Sequence, residues 1–236
     1  MSELRQDPVT GRWVIIAAER GGRPNEFRFE RPAVVRDECP FCPGHEAMTP
    51  PEVLAHRDAG GSPDSPGWSV RVVPNKFPAL QRGGRAELVR DGVLAHMPGV
   101  GVHEVVIETP DHHASLATMS VTEIERVLET FQTRMRALAS DPQLRYILIF
   151  KNHGGGAGAS IEHPHWQIVG LPVLPGFVRD ELEGARRHGD ATGRCVFCDI
   201  VRQELESGVR VVEADEDMVA LTPYASRFSF DMCLLP

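Results

Sequence analysis

The sequence predicts an α+β fold with a largely antiparallel sheet. Two observations carry this expectation. Strand-like runs follow one another without regular helical crossovers, and a single strongly amphipathic helix interrupts the series. The chain has 236 residues, of which 42% are hydrophobic, enough for one large domain or for one domain and part of another.

Thr10-Gly11 is a turn signal, and Trp13 to Ala17 reads as the first strand. Arg20-Gly21-Gly22-Arg23-Pro24 follows as a basic loop, and Cys39-Pro40-Phe41-Cys42-Pro43-Gly44 as a tight knuckle. Residues 58–67, rich in Gly and Pro, read as an exposed loop. Ser69 to Val73 alternates as a strand, and a second strand from Val102 to Thr109 stops at Pro110. Ser120-Val121-Thr122-Glu123 is a capping box. The helix it opens places Ile124, Val127, Leu128, Phe131, Met135 and Leu138 on one face and ends at Asp141-Pro142. Tyr146 to Phe150 is the next strand, and a His-x-His-x-Gln segment leads into Ile168-Val169. Beyond Gly193 the chain reads as a second unit: a short helix closing at Glu204-Leu205, a hairpin of 209–212 with 218–221, and a strand over 229–236. Cys195-Val196-Phe197-Cys198 resembles Cys39-Pro40-Phe41-Cys42, which suggests an internal duplication. The expected division is 1–188 and 189–236, the second copy being cut short because no His-x-His follows it.

The net charge of −8 argues against a general nucleic-acid binder, whose affinity leans on basic surface. No apolar run is long enough to cross a membrane, and the N-terminus has no apolar signal core, so the reading is cytoplasmic with no membrane partner. In that reducing compartment the two C-x-x-C pairs read as metal or redox sites. Cys39 and Cys42 offer two soft ligands for zinc, with His112, His113 and His163 as candidates for the remaining places. Cys195 and Cys198 could open a second such site, but no histidine follows them. Cys233, in an apolar run, reads as a small core residue.

The chemistry concentrates after Phe150. A glycine-rich loop, Asn152 to Gly158, precedes Ser160-Ile161-Glu162-His163-Pro164-His165-Trp166-Gln167. Glycines let backbone N–H groups approach phosphate oxygens. An imidazole can attack phosphorus near neutral pH, and Gln167 can donate an N–H to a phosphoryl oxygen but supplies no proton.

Together these residues resemble the galactose-1-phosphate uridylyltransferase family of the histidine-triad superfamily. The resemblance rests on His163-Pro164-His165-Trp166-Gln167, Asp7-Pro8-x-Thr10-Gly11-x-Trp13, Arg20-x-x-Arg23-Pro24, the Cys39 knuckle, Asn75-x-Phe77-x-Ala79-Leu80 and Pro110-Asp111-His112. It implies a histidine-triad-like fold in two tandem halves, usually dimeric, with the second half truncated here. It makes His165 the nucleophile, forming a nucleotidyl-histidine that a second phosphate captures. Ser160 and Gln167 would hold nonbridging oxygens, helped by Asn152; Arg20 and Arg23 would contact phosphate, and Asn75 the nucleoside. Cys39, Cys42, His112 and His163 would bind zinc. The implied reaction is UDP-glucose with galactose 1-phosphate, in galactose metabolism. Lys151 to Gly154 and the second C-x-x-C look closer to the branch acting on ADP-glucose with phosphate. Such an ADP-sugar or dinucleotide phosphorylase is the alternative, alongside a zinc-stabilised nucleotide-binding module without turnover. Trp166 stands where the family often has glycine, and Lys76 where it often has an acid. Gln167, in place of a third histidine, favours transfer over hydrolysis, because sugar phosphates leave without a proton.

Overall fold

The computed structural model describes residues 3–16 and 38–236. The described residues fall into two compact units: 38–174, and 3–16 together with 175–236. Ala17 and the basic loop carrying Arg20 and Arg23 lie outside the described residues.

In chain order, β1 (Glu3–Gln6) and β2 (Trp13–Ile16) form an antiparallel hairpin. The larger unit holds β3 (Leu54–His56), β4 (Val70–Pro74), β5 (Val89–Asp91), β6 (Leu94–His96), β7 (Val102–Ile107), helix α1 (Val121–Ala139), β8 (Tyr146–Phe150) and β9 (His165–Leu171). Five of these strands make one sheet in the order β3-β4-β7-β9-β8, antiparallel at every pairing. The antiparallel expectation is met, and β5 with β6 adds a small separate hairpin.

Period-2 alternation sorts the sheet's side chains onto two faces. On one face Val70, Val72, Val102, Val106 and Ile168 pack against Val127, Phe131 and Leu138 of α1. On the other, Val73, Val105 and Ile107 pack with Trp68 and the knuckle residues Cys39 and Phe41. Both faces of β7 are therefore covered, which explains the consecutive apolar residues Val105, Val106 and Ile107 at its end. Each fully buried aliphatic here contributes about 1.5–3 kcal/mol.

Helix α1 begins as its sequence dictates. The Ser120 hydroxyl accepts from the Glu123 N–H, and the Glu123 carboxylate accepts from the Ser120 N–H. Its apolar face is narrower than its sequence suggests. Val127, Phe131 and Leu138 are buried, whereas Leu128 and Met135 are exposed. The inner stripe instead includes Arg134, whose guanidinium reaches the buried carboxylate of Glu104 on β7 through two hydrogen bonds. That ion pair turns the helix so that the 128/135 edge faces solvent.

The other unit contains α2 (Gly176–Thr192), α3 (Val196–Ser207), and β10 (Val211–Ala214), β11 (Val219–Leu221) and β12 (Cys233–Leu235), an antiparallel sheet in that order. The short helix, hairpin and last strand match expectation. Helix α2 was not foreseen: its exposed Phe177 and Leu182 and its internal Gly184 and Gly189 blur the apolar period. Gly184 is required, since a Cβ there would lie 1.7 Å from the Val9 carbonyl oxygen. The helix runs through positions 188 and 189, and Gly193 (φ +70°) ends it.

Candidate active site and metal centre

The site lies at the start of β9. His165 opens the strand, so His165 and Gln167 point to the knuckle face while Trp166 and Ile168 point to α1. Trp166 packs edge-on against Phe131, with ring centroids 5.1 Å apart. This explains a large residue between His165 and Gln167: it anchors the strand from behind.

The knuckle, β7's end and β9's start bring four donors together. One ligand atom from each of Cys39, Cys42, His112 and His163 lies within 4.8 Å of all the others. Cys42 Sγ is 3.4 Å from His112 Nδ1 and 3.6 Å from His163 Nδ1. Tetrahedral zinc bonds to sulfur and nitrogen set such ligand pairs about 3.6 Å apart. The Phe41 N–H donates to Cys39 Sγ, as suits a thiolate. His163 Nε2–H donates to the Thr109 carbonyl at 2.8 Å, which leaves the Nδ1 lone pair facing the cluster. Burial pushes His163 down to about 4, so it is a neutral imidazole, the ligating form. Burial, and then the neighbouring Cys39, push the Cys42 thiol up to about 11; a zinc ion would reverse that by taking the thiolate. The donor set fits zinc. His113 stands outside the cluster, and His45, half-buried, bonds the Cys39 carbonyl through Nδ1 at 2.7 Å. Cys195 and Cys198 are exposed, and among the described residues no further donors gather around them.

His165 Nδ1–H donates to the His163 carbonyl at 2.8 Å. That bond fixes the tautomer and leaves Nε2 with its lone pair. Burial, partly offset by this hydrogen bond, holds His165 below its ordinary value and hence neutral near pH 7. His163 thus joins the cysteine–histidine cluster through its ring and holds His165 through its backbone.

A cleft of about 1140 Å³ opens beside His165, lined among others by Asn152, Ser160 and Lys151. Gly154 and Gly158 adopt positive φ (+78° and +85°), which lets the loop turn tightly at the cleft's edge. The cleft therefore gathers His165, Asn152 and Ser160. Gln167 and Asn75 are not among its lining residues; both are half-buried farther along the same face, where His103 joins them. Lys76 is exposed.

Two features escaped sequence reading. Lys151 forms an ion pair with the fully buried Glu108, and His103 bonds Gln167. The parity of β7 places His103 on the face of Val105 and Ile107, but only the pairing of β7 with β9 brings it to Gln167.

A family profile described as galactose-1-phosphate uridyl transferase, N-terminal domain, matches residues 1–175. An ADP-glucose phosphorylase of Arabidopsis thaliana is 34% identical over 99% of this chain, which spans 65% of that relative. A galactose-1-phosphate uridylyltransferase of Thermotoga maritima is 30% identical over the whole chain, which covers 67% of it. The crystal structure of an Arabidopsis thaliana ADP-glucose phosphorylase with bound ADP-glucose superposes with a TM-score of 0.81 at 33% identity, covering 100% of this chain and 68% of its own. A uridylyltransferase structure gives 0.69 at 27% identity, covering 100% and 66%.

Proposed function

The chain belongs to the galactose-1-phosphate uridyl transferase family, and from that premise we propose that it transfers a nucleotidyl group between phosphates through His165. The observation that carries this reading is the His165 tautomer: Nδ1–H is held by the His163 carbonyl, and among the described residues Nε2 of this cleft-lining histidine has no hydrogen-bond partner.

His165 Nε2 attacks the α-phosphorus of a nucleotide sugar. A P–N bond forms, the P–O bond to the distal phosphate breaks, and the sugar 1-phosphate leaves with the electron pair. The imidazole becomes cationic, and its Nδ1–H bond to the His163 carbonyl strengthens with that charge. A phosphate oxygen of the acceptor then attacks phosphorus, and the P–N pair returns to Nε2. Neither step needs a general acid, because both leaving groups are stable unprotonated, which suits Gln167. Asn152, Ser160 and Gln167 hold phosphoryl oxygens; Arg20, Arg23 and Asn75 keep their proposed roles toward phosphate and nucleoside. Cys39, Cys42, His112 and His163 would hold zinc, which would fix the backbone that aims His165.

For the donor, ADP-glucose with inorganic phosphate as acceptor is favoured by the likeness to the Arabidopsis thaliana phosphorylase in sequence and fold. UDP-glucose with galactose 1-phosphate is the second reading, favoured by the family profile and the Thermotoga maritima relative. The division into tandem halves at 188/189, a homodimer, and a cytoplasmic site of action belong to the same reading; among the described residues no helix is long and apolar enough to cross a membrane. The test is isotope exchange. With no second acceptor present, labelled glucose 1-phosphate should enter ADP-glucose or UDP-glucose, and the productive donor names the base. Absence of exchange with both donors, in zinc-loaded protein, would reduce the chain to a nucleotide-binding module.

A further inference from the structure

We propose that His103 is a positioning residue that sets which end of the Gln167 amide meets the phosphoryl group; the inference rests on the functional reading above. The Ala79 N–H donates to His103 Nδ1 at 3.0 Å. The proton of a neutral His103 must then sit on Nε2, and Nε2 lies 2.7 Å from Gln167 Oε1. If the amide were reversed, its NH2 would face an N–H. The imidazole therefore dictates the orientation: the carbonyl end is held, and the NH2 end is left over. Among the described residues Gln167 Nε2 has no hydrogen-bond partner. An anionic oxygen accepts from NH2 and is repelled by a carbonyl, so the choice of end decides whether Gln167 assists or opposes transfer.

The same imidazole reaches the loop that follows β4. Asn75 Oδ1 accepts from the Phe77 N–H, which fixes its own amide. Asn75 Nδ2 then stands 3.1 Å from His103 Nε2 as a packing contact, since both carry protons. The Asn75 N–H donates to the His103 carbonyl at 2.8 Å. One residue on β7 thus registers the loop of residues 75–79, through its carbonyl and its imidazole, against the residue two places past the nucleophile. A strand residue whose partner is 64 positions away has no reason in local structure to be histidine; valine would suit that face.

The test compares His103→Asn, which keeps an acceptor for the Ala79 N–H but loses the donor to Gln167, with His103→Gln, which keeps an N–H near the Nε2 position. Adduct formation on zinc-loaded protein is followed in single turnover with ADP-glucose and with UDP-glucose. His103→Asn should slow it about tenfold to a hundredfold, toward the loss seen on removing one oxyanion donor, with the half-saturating donor concentration little changed. His103→Gln should restore most of the rate. In a Gln167→Ala background His103→Asn should add no further loss. An equal loss in that background, or no loss in the wild-type background, overturns the proposal. Nitrogen-15 spectra of the imidazole give a readout independent of activity. A proton on Nδ1 of His103 overturns the proposal outright. Should the wild type form no adduct, the functional reading fails by itself. The proposal is then upheld if the Gln167 NH2 resonances shift in His103→Asn and return in His103→Gln, and overturned if they do not move.

Discussion

Replacing His163 by leucine removes two interactions at once, and their sizes can be separated. The first is a place in the proposed zinc site. Zinc at 100 to 1,000 times its dissociation constant stabilises the folded chain by about 2.7–4.1 kcal/mol. The second is the Nε2–H bond to the Thr109 carbonyl, at a residue only 3% exposed. Leaving that acceptor without its proton costs a further amount of about 1–3 kcal/mol. At about 2–4 °C per kcal/mol for a chain of this size, chelation alone should lower Tm by about 5–16 °C, and His163→Leu by about 7–28 °C. The assay is differential scanning calorimetry of three samples: zinc-loaded wild type, chelated wild type and His163→Leu, with metal content measured in each. The expected order is loaded wild type, chelated wild type, then variant. The unit should not unfold on chelation, because Cys39 and Phe41 also pack against Trp68, Val73, Val105 and Ile107. Wild type that binds no zinc and gains no Tm on zinc addition would refute the metal reasoning. A variant no less stable than chelated wild type would refute the role given to the Thr109 bond.

Two further outcomes follow from buried charge. Lys151→Met leaves Glu108 as a fully buried carboxylate without its cation and should cost about 3–5 kcal/mol in urea unfolding; adding Glu108→Gln should recover most of the loss. Burial opposes ionisation of Glu52, but hydrogen bonds from Arg57 and Arg71 outweigh it and hold its carboxyl below the usual range. A depressed carboxylate stabilises above its unfolded pKa and loses that contribution as pH falls through the folded value. Stability of the wild type should therefore fall below about pH 4.5, the ordinary value for glutamate, and Glu52→Gln should flatten that acid limb while lowering stability at pH 7.

Much of the site was legible because its signals are local. The capping box at Ser120 fixed the start of α1, and C-x-x-C with two histidine clusters pointed to donors that the structure brings within one coordination sphere. His165 and Asn152 share a cleft as the glycine loop suggested. What stayed hidden depends on strand register. Glu108 meets Lys151 across 43 residues and Glu104 meets Arg134 across 30, and neither spacing leaves a trace in periodicity. The Arg134 pair also explains why Leu128 and Met135 face solvent although their spacing puts them on the apolar stripe: Arg134 joins the inner face of α1 to reach Glu104.

The most direct measurement is intact mass of the zinc-loaded chain after mixing with ADP-glucose alone and with UDP-glucose alone, beside His165→Asn. His165 as nucleophile predicts one acid-labile nucleotidyl adduct on the wild type with the productive donor and none on the variant. An adduct that persists in His165→Asn, or none on folded, zinc-loaded wild type with either donor, would contradict it.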